Sequence, residues 1–364
     1  MAKILQLEPW IDESELDALR KVIESTFLVE HEFSRQFESQ FEELTGAARA
    51  VATCNGTAAL FCSLKATGVG HGDEVIVPDF TYIATATAVI LAGAKPVFCE
   101  VEGNYLSLDL EHAERLINSK TKAMIPVHLY GQAGNVDRVV SFAKEHGLAV
   151  IEDAAQSVGV TFKGRHVGTF GDLGAFSFYG NKTITCGEGG MVVTNDPELG
   201  SKCVRLKMHG RDQKGTYLHE EIGFNFCITD MQSAVAIAQM KKLDAIVEKK
   251  RAIFDNYRMA WQGIEEMEPM AVDADCEPVH WLSVFFTDRK EELKEYLLKQ
   301  DIQVRDLFCP LHRQPCFRDL GIQDDYPVSD RLFRRGLALP SSYSLTTEEQ
   351  QVVVDAVEAF FKAS

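Results

Sequence analysis

The stretch Gly174-Ala175-Phe176-Ser177-Phe178-Tyr179-Gly180-Asn181-Lys182-Thr183-Ile184-Thr185-Cys186-Gly187-Glu188-Gly189-Gly190 runs from an apolar segment through a lysine into a glycine-rich turn. The apolar segment reads as a strand over Ala175–Tyr179, and Met191–Thr194 reads as the next. Gly187, Gly189 and Gly190 remove the side-chain bulk that opposes a tight return between them. Upstream, Val150-Ile151-Glu152-Asp153-Ala154-Ala155-Gln156 reads as a buried strand ending in an acid.

Outward from this stretch the chain alternates. Short runs rich in Val and Ile predict strands at Ala48–Thr53, Glu74–Pro78, Lys95–Val101, Ala123–His128 and Leu148–Glu152. Between them, helices are expected at Ala58–Thr67, Ala84–Leu91, Leu110–Ile117 and Val136–His146. Such alternation predicts an α/β fold with a mostly parallel sheet of seven strands. The last two strands lie close in sequence, so one edge should be mixed. Apolar residues at helical spacing predict one long helix over Asp230–Tyr257, with Glu248-Lys249-Lys250-Arg251 as its solvated face. Beyond it come helices at Glu291–Gln300 and Leu345–Phe361. Between those two lies a stretch over Val304–Phe317 rich in Pro, Cys and Arg. Residues 12–46 read as helical. A chain of 364 residues is too long for one simple core. The expected division is an N-terminal segment with a large domain over 1–245 and a smaller α/β domain over 246–364.

Composition narrows the function. A formal charge of −17 opposes nucleic-acid binding, which needs a basic footprint. It leaves room for an anionic small molecule held by local donors. No apolar run approaches the roughly 20 residues of a membrane span. The first residues lack the apolar core of a signal peptide, so the cytoplasm is the expected location. Nine cysteines without a Cys-x-x-Cys pair read as reduced, mostly buried thiols. The ten histidines show no metal-binding spacing, so no metal is expected.

A hydroxyl at Ser177, an amine at Lys182, a glycine-rich turn and an aspartate at a strand end are the parts a pyridoxal 5'-phosphate site requires. The lysine would hold the cofactor as a Schiff base. Asp153 would keep its pyridine nitrogen protonated, so that the ring can take up electrons. Alone, Asp153 reads equally well as a helix N-cap, and Lys182 as a surface lysine. Asn55-Gly56-Thr57 follows a strand and opens a helix, where free N–H donors and a hydroxyl can hold a phosphate; it is also a common cap. Tyr82, just past a strand end, can stack on a planar ring or pack in the core. Gln156 could lie beside the same ring. His209 either lines the site or caps a helix. Gly68-Val69-Gly70-His71-Gly72 lacks the spacing of a dinucleotide loop and reads as a helix stop.

With Asn-Gly-Thr at 55–57, Glu-Asp-Ala-Ala-Gln at 152–156 and Ser-Phe-Tyr-Gly-Asn-Lys…Gly-Glu-Gly-Gly at 177–190, the chain resembles the sugar aminotransferases of the DegT/DnrJ/EryC1/StrS family. The likeness continues through Pro310-Leu311-His312…Gln314-Pro315 and Ala338-Leu339-Pro340-Ser341. The stretch after Gly180 looks most like the GDP-perosamine synthases within it. The resemblance implies fold type I, the aspartate-aminotransferase-like architecture. It implies Lys182 as the catalytic amine and Asp153 as the partner of the pyridine nitrogen. Gln156 would lie against the ring's hydroxyl side, and Tyr82 would stack on the ring. Gly56, Thr57 and Ser177 would hold the phosphate. It further implies a homodimer with sites at the subunit interface, where Asn225 would reach the partner's cofactor phosphate. Cys227 departs from the pattern, because many relatives carry arginine there. A lysine at 182 excludes the sugar dehydratases of this fold, which carry histidine. The implied reaction moves an amino group from glutamate to a keto sugar nucleotide, at C4 of a 4-keto-6-deoxyhexose, for polysaccharide synthesis. The alternatives are another keto sugar or a cyclitol as acceptor, and a non-catalytic regulatory protein on the same fold.

Overall fold

The computed structural model describes residues 3–211, 217–321 and 324–363. Of the expected two-domain division, the extreme residues Met1, Ala2 and Ser364 lie outside the described ones. Two helices, α1 (Glu13–Ser25) and α2 (Glu32–Thr45), lead into β1 (Arg49–Thr53), α3 (Gly56–Ala66), β2 (Glu74–Pro78), α4 (Ala84–Leu91) and β3 (Lys95–Cys99). Then come α5 (Leu110–Leu116), β4 (Thr121–Met124), α6 (Val136–Glu145), β5 (Ala149–Asp153), the short β6 (Thr161–Phe162) and β7 (Arg165–His166), β8 (Leu173–Ser177) and β9 (Gly190–Thr194). The chain continues through α7 (Pro197–Lys207), α8 (Asp230–Met240), α9 (Leu243–Ala260), β10 (Glu268–Pro269), β11 (Cys276–Glu277) and β12 (Ser283–Phe286). It closes with α10 (Lys290–Leu298), β13 (Arg305–Asp306), α11 (Pro327–Arg335), β14 (Gly336–Leu339) and α12 (Thr347–Lys362).

Among the described residues, seven strands form one sheet in the order β1-β9-β8-β5-β4-β2-β3. β2, β3, β4, β5 and β8 pair in parallel, while β9 is antiparallel to both β8 and β1. Two reversals cancel, so β1 points the same way as β8 and only β9 runs against the rest. The expected α/β sheet with one mixed edge is thus present. Its direction has a functional consequence: Thr53, Pro78, Asp153 and Ser177 all end at one edge. The loops that follow them converge there, where ligands bind in open α/β sheets.

The outer strand β1 is finished by side chains rather than by another strand. The N–H groups of Ala50 and Ala52 donate to Glu42 Oε1 at 2.9 Å and Glu38 Oε1 at 2.8 Å. Lys207 Nζ donates to Ala52 O at 2.7 Å and pairs with Glu30 and Glu38 at 3.1 and 3.3 Å. The glycine-rich turn fits its expected role, with Gly187 at φ 84°. Gly68, at φ 83° just past α3, stops that helix, as the reading of Gly68–Gly72 anticipated.

A second sheet, β10-β12-β14-β13, is antiparallel throughout. Phe254 and Tyr257 of α9, Phe285, Leu297, Leu337 and Val357 pack together behind it. The N-terminal segment joins this region: Ile4 N–H donates to Asp301 O and Ile4 O accepts from Gln303, both at 2.9 Å. All nine cysteines are free thiols. Among the described residues no helix is long and apolar enough to cross a membrane.

Four expectations need correction. The helix expected over Asp230–Tyr257 is two helices, broken at Lys241-Lys242. There the Lys242 N–H bonds back only three residues, to Gln239 O at 2.9 Å, and its ammonium is drawn inward to Glu15 at 2.7 Å. The strand expected over Ala123–His128 ends at Met124, because Pro126 has no N–H to give the ladder. The strand expected over Ala175–Tyr179 starts and ends two residues earlier, which puts Ser177 at its tip. The run Glu248-Lys249-Lys250-Arg251 is not all solvated, because Lys250 is 3% exposed.

Candidate active site

The first loop at the converging edge opens α3. Asn55 caps it, its Oδ1 accepting from Ala58 N–H at 2.9 Å. The N–H groups of Gly56 and Thr57 belong to the first turn, which has no carbonyls of its own helix to bond, so they can meet an anion. The N-cap reading of Asn-Gly-Thr is therefore met, and the cap leaves these N–H groups open to an anion. Gly56 is required by a close approach: a Cβ there would lie 2.8 Å from Ser177 Cβ and 3.3 Å from its Oγ. Gly56→Ala is expected to push these loops apart. Spectrophotometric titration of the cofactor-free protein should then show affinity for pyridoxal phosphate falling about tenfold, ~1.4 kcal/mol.

Together the loops bound a cavity of about 400 Å³, ample for a cofactor-sized ligand. Gly56, Thr57, Tyr82, Asp153, Gln156, Ser177 and Lys182 all line it. Asn225, the remaining expected residue, does not. It is exposed and bridges through its backbone to Met208. His209 is also exposed and lies apart from the cavity.

Asp153 is buried and faces the cavity. Thr85 Oγ donates to its Oδ2 at 2.8 Å and Ala155 N–H to its Oδ1 at 3.2 Å. Burial pushes its carboxyl up, and these hydrogen bonds with the charge of Lys182 pull against that. A buried carboxylate with no ion-pair partner within 4 Å among the described residues is an acceptor prepared for a cation from outside the chain. Lys182 is its counterpart. Burial lowers the amine to about 8; Asp153 opposes this, and the Arg305 guanidinium adds to it. At neutral pH roughly a tenth of such an amine is uncharged and able to attack a carbonyl carbon. Its Nζ lies 4.3 Å from the centre of the Trp281 ring.

Neighbouring groups fix these two. Glu152 turns away from the cavity and accepts from His128 at 2.8 Å and from the N–H groups of Gly168 and Gly171, both at 2.7 Å. Burial alone would raise its carboxyl, but these bonds hold it below the usual range. Alternation along the strand thus separates a structural acid from a cavity-facing one. Gln156 Oε1 accepts from Tyr130 N–H at 2.8 Å, which leaves its NH₂ for a ligand. Tyr130 holds φ at 56°, a strained value for a bulky residue. Tyr82 is 54% exposed at the rim, its ring 5.4 Å from that of Phe308, so it is available to a ligand rather than packed in the core.

Trp281, Arg305 and Phe308 also line the cavity and were not expected from the sequence. They lie in or beside the second sheet, about a hundred residues beyond Lys182, and no local pattern marks them. The two regions are joined at Asp79, at the end of β2. His312 Nδ1 meets Asp79 Oδ2 at 2.7 Å, and the His312 and Leu311 N–H groups both bond to Asp79 at 2.8 Å. Burial would lower the His312 imidazole, but the carboxylates of Asp79 and Asp330 outweigh it and raise the pKa. A raised folded value stabilises fully below the unfolded pKa of about 6.5 and is lost as pH rises through the folded one. Thermal unfolding from pH 5.5 to 8.5 should therefore show the parent losing ground to His312→Gln as pH increases. A constant gap between the two would contradict the clamp.

The cavity fits pyridoxal phosphate on three observations: the unpaired buried carboxylate at Asp153, the close approach at Gly56 that leaves room for an anion, and the lowered amine at Lys182. Cys227 is half-buried, its Sγ 3.4 Å from Lys207 O.

Comparison with known proteins agrees with this chemistry. The model of the DegT/DnrJ/EryC1/StrS aminotransferase family matches residues 9–358. GDP-perosamine synthase of Vibrio cholerae is 37% identical, over 97% of this chain and 98% of its own. UDP-N-acetyl-3-dehydro-alpha-D-glucosamine 3-aminotransferase of Acidithiobacillus ferrooxidans is 35% identical over 92% of this chain and 90% of its own. Among solved structures, DesV of S. venezuelae in complex with a ketimine intermediate superposes with a TM-score of 0.93 at 32% identity, covering 98% of this chain and 99% of that one.

Proposed function

We propose, from the premise that this chain belongs to the DegT/DnrJ/EryC1/StrS aminotransferase family and is a pyridoxal phosphate-dependent transaminase, that it aminates a keto sugar nucleotide. The acceptor position is C4 of a 4-keto-6-deoxyhexose, glutamate is the donor, and the product enters a surface polysaccharide. The observation that carries this reading is the meeting of Lys182 and Asp153 with the Gly56–Ser177 cradle in one cavity. The likeness to GDP-perosamine synthase supports a nucleotide-linked sugar as the acceptor. The similar likeness to a 3-aminotransferase makes C3 the alternative.

When bound, pyridoxal phosphate supplies an electron sink for the carbon that loses a proton. The chain's own residues do the rest. The first-turn N–H groups of α3 with Thr57 and Ser177 would hold the phosphate. Asp153 would keep a proton on the ring nitrogen. Gln156 offers its NH₂ to the ring's oxygen, and Tyr82 offers a stacking face. Lys182 Nζ would be the covalent anchor and then the base that moves a proton between substrate carbon and cofactor carbon. An amine held near neutral can do both.

The exposed apolar run Phe27, Leu28 and Val29, with Leu218, Ile222 and Phe224, supports a homodimer, the family's arrangement. In it Asn225 would reach the partner's phosphate. The absence of a membrane-crossing helix among the described residues is compatible with a cytoplasmic reaction. The decisive experiment loads the enzyme with pyridoxal phosphate and converts it with glutamate to the amine form. Keto sugar nucleotides are then screened for return of the aldehyde absorbance. Return with 4-keto sugars alone supports the reading. Return only with 3-keto sugars selects the alternative, and return with none rejects both.

A further inference from the structure

Lys250, on α9, is buried where a solvated face was expected. Its Nζ donates to Trp281 O at 3.1 Å and Ser341 O at 3.0 Å, and no carboxylate pairs with it among the described residues. His280 is the titratable group that meets it, and Arg251 and Arg258 in turn act on His280. Burial pushes the His280 imidazole down to about 3, so it is neutral. Arg251 donates to Pro278 O at 2.6 Å, and Arg258 pairs with Asp255 at 3.1 Å. Nothing in this shell balances an ammonium. Lysine is almost never fully buried unless paired, because burying the charge is costly. Burial lowers this amine to about 7. Even uncharged it keeps two N–H groups, enough for its two carbonyls.

What the lysine gains is a bridge between strands. In the β12–β14 register Ser283 faces Leu339. Continuing that register, Trp281 and Ser341 face each other two positions beyond, where the ladder has ended, and Lys250 joins their carbonyls. The indole of Trp281 touches the working amine. Its Nε1–H donates to Asn181 O at 2.6 Å, the peptide next to Lys182, and its ring lies 4.3 Å from Lys182 Nζ. On the far side Gly131 is pressed so closely that a Cβ would meet Trp281 N at 2.5 Å. Trp281 is thus bounded at its backbone N by Gly131, held at its carbonyl by Lys250, and held at its indole by the Lys182 segment.

We propose that Lys250 is a positioning residue for amine transfer: it fixes Trp281, and through the indole it fixes the peptide and the amine of Lys182. The inference rests on Lys182 being the working amine. Misplacing a reacting group by about an ångström can cost up to about a hundredfold in rate.

The test is Lys250→Met, which keeps an unbranched side chain only one atom shorter and removes its donors. Expected are a kcat about tenfold lower and a KM for the keto sugar nucleotide within about twofold. In the cofactor-free protein, acrylamide should quench tryptophan emission more strongly, because Trp281 is loosened. The thermal midpoint should fall modestly at most: the carbonyls of Trp281 and Ser341 lose their donor, and removal of an unpaired buried amine offsets part of that cost. Lys250→Gln, which keeps one donor group, should show the same split at smaller size, and it carries the test if the methionine protein does not accumulate. An unchanged kcat in either variant, or a fall in kcat matched by loss of folded protein, overturns the inference. A parent enzyme that transfers no amine from any donor defeats the reading of Lys182 instead, and so the two failures are separable.

Discussion

Lys182→Ala is expected to abolish amine transfer, with a loss of about 10⁴-fold or more, because in the proposed reaction one residue is both anchor and proton carrier. No neighbour can substitute. Among the described residues lining the cavity, the other cation is Arg305, whose guanidinium does not lose its proton. Borohydride reduction followed by peptide mass spectrometry should fix pyridoxal phosphate to the parent at the Lys182 peptide and leave the variant unlabelled. The variant should still bind the cofactor noncovalently, since the Gly56–Ser177 cradle is untouched. A variant that retains more than about a hundredth of the parent rate would overturn the assignment of Lys182.

Asp153→Asn is expected to be the second most damaging change, lowering kcat by about 10²–10³-fold. Removing one partner of a buried charge pair costs roughly 3–5 kcal/mol. The amide can still accept from Thr85 Oγ, which donates to Oδ2 at 2.8 Å, so the local geometry survives. The signs of the two stability changes should differ. Without cofactor the variant should be as stable as the parent or more so, because burial works against the Asp153 carboxylate. With cofactor the parent should gain more than the variant, since tighter binding to the folded state stabilises it more. Paired thermal melts with and without pyridoxal phosphate measure this. Equal gains would mean that Asp153 does not meet the cofactor's charge.

Much of the site was readable along the chain because its parts follow strand ends. Asn55-Gly56-Thr57, Asp153 and Ser177-to-Lys182 each combine a buried strand with a turn, and period-two burial together with glycine placement is local information. The division of labour between Glu152 and Asp153 has the same origin, since adjacent residues on a strand face opposite ways. The break at Lys241-Lys242 was not readable: apolar spacing continues across it, and the pull on Lys242 comes from Glu15, more than two hundred residues away. Lys250 misled for a related reason. A run of charged residues on a helix reads as a wet face, and only the segments flanking β12 and β14, which bring Trp281 and Ser341 to α9, enclose that position.

Residue order alone therefore carries the likeness to the family, a lysine between a strand and a glycine-rich turn, and an acid at a strand end, because each depends on neighbours within a few positions. Tertiary structure decides which strands lie side by side, and so that β1, β5 and β8 present their ends at one edge. It also decides that Trp281, Arg305 and Phe308 close the cavity from the second sheet, and that Asp79 and His312 tie the two regions together. Those contacts join residues a hundred or more positions apart. Their geometry follows from sheet pairing and burial, which no window along the chain contains.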